Sequence, residues 1–380
     1  MYSCSKISTF EQKSNAMKLK KLSLINFKNL AQQEIAFSSG INCFVGDNGT
    51  CKTNIIDAIH YLSMCKSAIG MSDSQCVLHG EQAFVIDGAF ENEAGRSEQI
   101  VCSYNRGSQK VIKRNGKAYE RYSDHIGVIP VVIVSPADSV LISDSAEERR
   151  RYINAFISQF DRDYLAAMIR YNTTLSERNS YLKIGSDEEM LRIYDAQLAP
   201  LATTIHKSRL EIVELLYPLV CDYYRALSDD HEKVELEYRS ELNNASLEEL
   251  LQASRERDRV MGYTTCGVQR DDLRFSIGGY PLRKYGSQGQ QKSFLIALKL
   301  AQYRIIAQAC GEKPILLLDD LFDKLDESRV SRLIELVKGD EFGQVIITDC
   351  NGERMGNILH KAECSYKLFN VSYGAVEKGE

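Results

Sequence analysis

Apolar positions recur along this chain with two different periods, and the alternation between them divides it into blocks. Leu19, Leu22, Leu24 and Ile25 lie in a β-prone segment, and Gly40 to Val45 is a second short apolar run. Ile55, Ile56, Ile59 and Leu62 then follow helical spacing. From Met71 to Ile133 the texture returns to β: Phe84 to Phe90, Ile100 to Tyr104, Gln109 to Arg114 and Val128 to Val134 are separated by Gly and Asn turns, notably Arg114-Asn115-Gly116-Lys117. These predict an antiparallel lobe. Between Ser145 and about Arg259, charged and apolar residues mix at helical spacing without a sustained seven-residue repeat, which predicts a compact helical subdomain. Leu273 to Ile277 alternates and turns at Gly278-Gly279, a hairpin. Then Leu295, Leu298, Ala301 and Ile305 mark a buried helix, and Ile315 to Leu318 a strand covered on both faces. A helix over Ser328 to Lys338 and strands over Gln344 to Thr348 and Tyr366 to Val371 complete the pattern.

Two of the junctions between these elements carry chemistry. After the second strand comes Gly46-Asp47-Asn48-Gly49-Thr50-Cys51-Lys52-Thr53, and a helix follows at once. Strand, glycine loop, Lys-Thr and helix in that order predict a phosphate-binding loop, whose backbone N–H groups and helix N-terminus surround an anion. Lys52 would reach the β- and γ-phosphates of ATP, and the Thr53 hydroxyl would bind Mg²⁺. The buried strand Ile315 to Leu318 ends in Asp319 and Asp320, where α/β sheets bind ligands. Asp319 is then the acid that holds Mg²⁺, and Asp320 is placed to orient or deprotonate the attacking water. The plainer alternative is an α/β unit whose acids cap the next element.

Composition limits the remaining choices. With 380 residues, 44% of them hydrophobic and 26% charged, the chain can bury one large core or two modest ones. No apolar stretch approaches a membrane span, and the N-terminus lacks the apolar core of a secretory signal, so a cytoplasmic location without membrane partners is expected. Eleven cysteines are scattered without a CxxC pair, which argues against a disulfide framework or zinc site. At a net charge of −5, nucleic acid would have to be met by a local basic surface. Two candidates are Arg106, Lys110, Lys113, Arg114 and Lys117 in the β lobe, and Arg149, Arg150 and Arg151 at the start of the helices. Basic hairpins that serve solubility, and a solvated helix face, are the alternatives.

The motifs together resemble a known family. GDNGTCKT, SQGQQKS, ILLLDD and Lys324 to Arg329 look like the Walker A, signature, Walker B and D-loop motifs of an ABC-type ATPase head of the SMC kind. Phe27-Lys28-Asn29-Leu30, Ser135-Pro136-Ala137-Asp138, Glu148 to Arg151, Arg270-Asp271-Asp272-Leu273 and Ser287-Gln288-Gly289-Gln290 narrow this to the bacterial RecF family of recombination mediators, over about residues 17 to 373. The resemblance implies an ATP-dependent homodimer that binds single-stranded and gapped DNA. With RecO and RecR it would help load RecA in gap repair, replication restart and the SOS response. It also implies that Ser287, Gly289 and Gln290 contact ATP, with Ser287 reaching nucleotide held by a second protomer.

Lys52 and Ser287 lie 235 positions apart, more than a transporter ATPase needs and far fewer than an SMC coiled-coil arm takes. The expected architecture is therefore an α/β P-loop NTPase of ABC/SMC-head type with an antiparallel β lobe and an inserted helical subdomain. Its parts would be a disordered extension over 1–16, ATPase lobe I over 17–144, helical lobe II over 145–262, and the rest of lobe I over 263–380, with Met17 an alternative start. Three departures stand out: Cys51 replaces the glycine usual before the lysine, Val268-Gln269 replaces Pro-His, and Asp349 stands where many ABC heads have histidine. The first predicts weakened nucleotide binding and a reactive Cys51 thiol. A slow DNA-stimulated ATPase and a nucleotide-gated scaffold with negligible hydrolysis are the two functional readings.

Overall fold

In the computed structural model, which describes residues 15–92, 95–185, 187–228, 232–321, 325–372 and 375–378, the chain opens with Asn15–Ala16 (β1) and the ten-residue strand Lys18–Phe27 (β2). Leu30–Ala36 (β3) returns antiparallel to β2, and Ile41–Val45 (β4) leads through the glycine loop into helix Lys52–Met64 (α1). Ala83–Glu91 (β5), Ser97–Asn105 (β6), Val111–Arg114 (β7) and Lys117–Ala118 (β8) extend the first sheet in the order β3-β2-β5-β6-β7-β8, antiparallel throughout. Its covered face sits over α1. Phe27, Tyr61 and Phe84, all fully buried, meet edge to face with centroids 5.3 to 6.1 Å apart. A Cβ on Gly88 would come within 2.5 Å of the Leu62 side chain, so glycine is what lets α1 approach β5. Val131–Val134 (β9) departs from the expected antiparallel lobe: it pairs in parallel with a later strand, because sheet membership is set by register and not by a strand's own residues.

The second block is helical for the reasons its pattern predicts, with two differences. Val140–Ser143 (α2), Ala146–Ile157 (α3) and Arg162–Ile184 (α4) are followed by the 40-residue Glu188–Leu227 (α5), about 60 Å at 1.5 Å per residue. Pro200 and Pro218 lie inside α5. Each removes one helical hydrogen bond, and the Thr204 hydroxyl donates to the Pro200 carbonyl 3.1 Å away. Next, Val234–Arg239 (β10) is a strand in the region expected to be wholly helical, with Val234, Leu236 and Tyr238 buried in alternation. Leu247–Met261 (α6) begins at a capping box of Ser246 and Glu249 and ends at Gly262 in the left-handed region. Asp272–Ile277 (β11) and Tyr280–Pro281 (β12) complete a three-stranded antiparallel sheet with β10. Leu282–Tyr285 (α7) then precedes the long Gln288–Cys310 (α8).

Buried charge ties these helices together. The fully buried Arg178 of α4 donates to Asp195 of α5 and to Asp258 of α6, each at 2.9 Å, and to the Thr264 hydroxyl at 2.7 Å. A guanidinium in that position is stable only because two carboxylates and a hydroxyl replace its water.

Glu312–Lys313 (β13) pairs with β1, and Ile315–Asp319 (β14), Glu327–Val337 (α9), Val345–Asp349 (β15), Gly352–Lys361 (α10), Tyr366–Ser372 (β16) and Ala375–Lys378 (β17) finish the chain. The second large sheet runs β17-β16-β4-β15-β14-β9, parallel from β16 to β9 with β17 antiparallel at one edge. Its central strands are buried at every position, which is why they read as aliphatic runs without alternation.

Two units result. Among the described residues, one unit holds those up to Asp138, Ala226–Ser228 and those from Lys299 onward; the other holds those of Ser139–Arg225 and those from 232 to Leu298. The boundaries expected at 144 and 262 therefore move, and the chain passes between units inside α8. Ser287 and its neighbours group with the helical unit, not with the strand that ends in Asp319. Residues 1–14 of the expected extension and Lys324 of the D-loop lie outside the described residues.

Candidate nucleotide-binding site

Three parallel strands of the large sheet, β4, β14 and β15, lead at their carboxyl ends into polar groups that meet beside the start of α1. Gly46 follows β4 with its N–H directed to the Asp349 carbonyl at 3.3 Å. A Cβ there would lie 2.1 Å from the Val371 carbonyl oxygen of β16, so only glycine lets the loop leave the sheet at this point. Gly49 turns the chain with φ 85°, and Thr50 closes the loop by donating its N–H and hydroxyl to the Asp47 carbonyl at 3.3 and 2.7 Å. Helix α1 then starts with no side-chain cap and no acid in its first turn. Its first N–H groups have no partner within the helix and carry the positive end of its dipole, the arrangement that receives an anion.

Lys52 is 94% buried, and its ammonium donates to the Gly46 and Asp47 carbonyls at 2.6 and 2.8 Å. The loop's own oxygens thus occupy the cation that phosphate oxygens would take. Beside it, the Thr53 hydroxyl donates to Asp319 Oδ1 at 3.0 Å, and the Thr348 hydroxyl donates to the same oxygen at 2.8 Å. Burial holds the Asp319 carboxyl above the usual carboxylate range, against the opposing pull of those two hydroxyls. Asp320 follows with φ 47° in the left-handed region, its N–H held by the Thr348 carbonyl and hydroxyl at 3.3 and 3.0 Å. Thr348 therefore aims both acids. Sequence reading missed it, since its role exists only through the register that sets Asp319 opposite Thr348.

The loop borders a cleft of about 610 Å³ lined by Val45 to Thr50, Cys350, Gly352 and Asn370 to Ser372. Cys51 is another matter. It takes φ 87° at the entrance to α1, and its side chain is buried, whereas Cys350 is half-buried and lines the cleft. The expected reactive thiol at Cys51 is thus corrected by burial, and Cys350 is the cysteine that lines the cleft. Asp349, in the place of the usual histidine, is fully buried and accepts from the Asn351 N–H at 2.6 Å and from Arg354 at 3.0 Å.

Ser287, Gly289 and Gln290 stand in the other unit at the start of α8. Ser287 caps the helix by accepting from the Gln290 N–H at 3.2 Å, and Gln290 returns the bond to the Ser287 N–H at 2.6 Å. This is a capping box, and Ser287 itself is exposed.

The basic candidates separate sharply. Lys110 is an interior group: it donates to the Cys65 carbonyl at 2.6 Å and to Asp73 at 3.2 Å, between the Tyr61 and Tyr122 rings. Arg114 forms a bidentate pair with the buried Glu98. Arg149 is paired with Asp272, Arg150 donates to the Asp271 carbonyl, and Arg151 is paired with Glu147 and Glu148. Carboxylates thus engage four of the eight basic candidates, and Arg106, Lys113, Lys117 and the surface-paired Arg151 remain exposed.

Comparison with known proteins fits this geometry. A family model described as the RecF/RecN/SMC N terminal domain matches residues 18–375. The DNA replication and repair protein RecF of Bacteroides thetaiotaomicron is 46% identical over 364 residues, covering 95% of this chain and 99% of that protein. That of Flavobacterium johnsoniae is 46% identical over 360 residues, 93% and 100% of the two chains. Among solved structures, the recombination mediator protein RecF-ATP in the RecFOR pathway is similar at TM-score 0.87 and 32% identity, covering 98% of this chain and all of that one. The Smc head domain of Pyrococcus furiosus, at TM-score 0.57 and 17% identity over 96% of both chains, shares the fold.

Proposed function

The chain belongs to the RecF family of DNA replication and repair proteins, an SMC-like branch of the ABC-type ATPases, and from that premise we propose that it binds Mg-ATP, dimerises on it and acts on gapped DNA. The observation that carries this reading is the oxygen pair Thr53–Asp319, 3.0 Å apart beside an uncapped helix N-terminus. Adjacent ligands of an octahedral Mg²⁺ at about 2.1 Å are themselves about 3.0 Å apart, so the two side chains already have the spacing that ion requires. Among the described residues no larger cluster of His, Cys, Asp or Glu gathers, which suits an ion completed by phosphates and water. Bound there, Mg²⁺ would neutralise charge on the β- and γ-phosphates.

The chain's own groups do the rest. Lys52 exchanges two carbonyls for phosphate oxygens, the α1 N–H groups bind the same anion, and Asp320, aimed by Thr348, orients the attacking water. Ser287, Gly289 and Gln290 meet nucleotide held by a second copy, so ATP joins two protomers. Arg106, Lys113 and Lys117 form the exposed cationic surface for the DNA backbone. RecR and RecO are the partners that the RecFOR name of the solved relative supports, and RecA is the further partner that the family resemblance implies. No helix among the described residues is long and apolar enough to cross a membrane.

Size-exclusion chromatography with Mg-ATP and gapped DNA tests the core of this. Wild type should shift to a dimer with ATP, and Lys52→Ala should stay monomeric, because the loop loses its only cation. A Lys52→Ala dimer formed with ATP would sink the assignment. A second reading, a scaffold gated by nucleotide with negligible hydrolysis, is favoured by one observation: Asp349 is held by Arg354 and presents no imidazole to a phosphate. Turnover measured with and without DNA separates the two.

A further inference from the structure

The cleft beside the phosphate loop is lined by glycines, small polar residues and aliphatic side chains; none of its lining residues is aromatic. The cleft itself therefore offers a purine no ring to stack on. Aromatic surface without a ligand exists instead in the helical unit, two residues before Ser287. Tyr280 of β12 and Tyr285 of α7 are 59% and 64% exposed, and their rings meet at 4.9 Å with planes 43° apart. Tyrosines in contact with each other and still mostly open to solvent form a pre-ordered platform, since mutual contact has already fixed their rotamers. Arg283 and Lys284 stand between them in sequence, both exposed, and no carboxylate lies within ion-pair reach of either among the described residues. The Gly278-Gly279 turn, with φ 57° and 80°, brings Tyr280 opposite Ile277 at the edge of the three-stranded sheet.

From Tyr285 to Ser287 the chain can span at most roughly 7 Å. A ligand whose phosphates reach the start of α8 therefore has its remaining parts within reach of α7. The geometry points to the Tyr280–Tyr285 pair as the base-stacking half of the nucleotide site, receiving the purine ring of ATP held by the phosphate loop of a second copy, with Arg283 and Lys284 beside the ribose and phosphates. Each copy would supply what the other's cleft lacks: one binds phosphate and metal, and the partner binds the base. This rests on the ATP-joined dimer proposed above and adds the part of the ligand that the second copy reads.

Dimerisation of the full chain, followed by light scattering against concentration in the presence of Mg-ATP or Mg-tripolyphosphate, tests it. Tripolyphosphate offers the phosphates without a base. ATP should drive wild type to dimer at about tenfold lower protein concentration than tripolyphosphate, the worth of one stacked base. Tyr280→Leu/Tyr285→Leu, at exposed positions that leave the core intact, should lose that advantage, dimerise alike with both anions, and keep wild-type ATP affinity when dilute and monomeric. An unchanged ATP preference in the double variant overturns the inference. So does an equal loss with both anions, which would make the tyrosines plain subunit contacts, and so does a normal ATP-driven dimer that has lost affinity for single-stranded oligonucleotide. If wild type forms no dimer with either anion, the joined-dimer reading falls first and takes this with it; if only the base preference is missing, that reading stands.

Discussion

Cys51 holds a conformation its side chain does not favour. A left-handed residue other than glycine costs roughly 1–2 kcal/mol, and φ 87° places Cys51 in that region at the entrance to α1. Glycine would relieve this strain, yet it would add about 0.5–1 kcal/mol of unfolded-state entropy and would give up the burial of a thiol-bearing carbon, about 0.8 kcal/mol. These terms nearly cancel. Cys51→Gly should therefore shift stability by less than about 1 kcal/mol while tightening ATP binding several-fold, because the loop backbone can close on the anion without a Cβ. Cys51→Ala keeps the Cβ and serves as the control. Calorimetric titration of the dilute monomer with Mg-ATP checks both, and equal tightening in the alanine variant would assign the effect to thiol size and not to backbone freedom.

At the scale of elements, a carboxylate outside the nucleotide site links strand pairing to pH. Glu98 of β6 is 97% buried and receives Arg114, Asn115 and Arg96; Arg114 above all pulls its carboxyl down to about 2. An unperturbed glutamate titrates near 4.3, so the folded state is favoured by about 3 kcal/mol above that pH. The folded value is the lower one, and the contribution is therefore present at neutral pH and lost as pH falls from about 4.3 towards 2. Urea unfolding should find Glu98→Gln less stable than wild type by about 3 kcal/mol at pH 7, a gap that narrows to about half by pH 3. A gap independent of pH would mean that hydrogen bonds and not charge hold the β6–β7 pair. The same pair shows why the sequence overstated the basic surface. Arg114 and Lys110 look like solvent-facing charges in a hairpin, and their partners Glu98, Asp73 and the Cys65 carbonyl come from other segments. The central strands of the parallel sheet were legible because they are apolar runs, as in Leu316 to Leu318, whereas nothing in Val131 to Val134 marks which sheet β9 joins. β10 was hidden because Glu235, Glu237 and Arg239 gave a two-residue alternation the look of a mixed-charge helix.

At the scale of the whole molecule, the motifs that the proposed nucleotide chemistry needs fall in two different units. The loop that leads into Lys52 and Thr53 and the acids Asp319 and Asp320 stand out in the sequence because they follow or end the apolar strands β4 and β14, and all fall in one unit. The Ser287 group was legible as a motif but misassigned as to unit, since the boundary runs inside the continuous helix α8, where nothing in the residues signals a break. A helix start that already satisfies itself through the Ser287–Gln290 box has its capping oxygens engaged, so an incoming phosphate must displace them; the N-terminus of α8 can then offer its N–H groups and dipole. Ser287→Arg removes the cap, which costs about 1 kcal/mol, and places a bulky cation where the second copy's loop would approach. If the group acts on nucleotide held by another copy, the monomer's ATP affinity should stay within twofold of wild type, its Tm should fall only slightly, and the ATP-dependent dimer should disappear. Titration of the dilute monomer alongside light scattering at dimer-forming concentration reads the two effects separately. A parallel loss of monomer affinity would instead place Ser287 in its own copy's site, and the division of labour between the units would have to be redrawn.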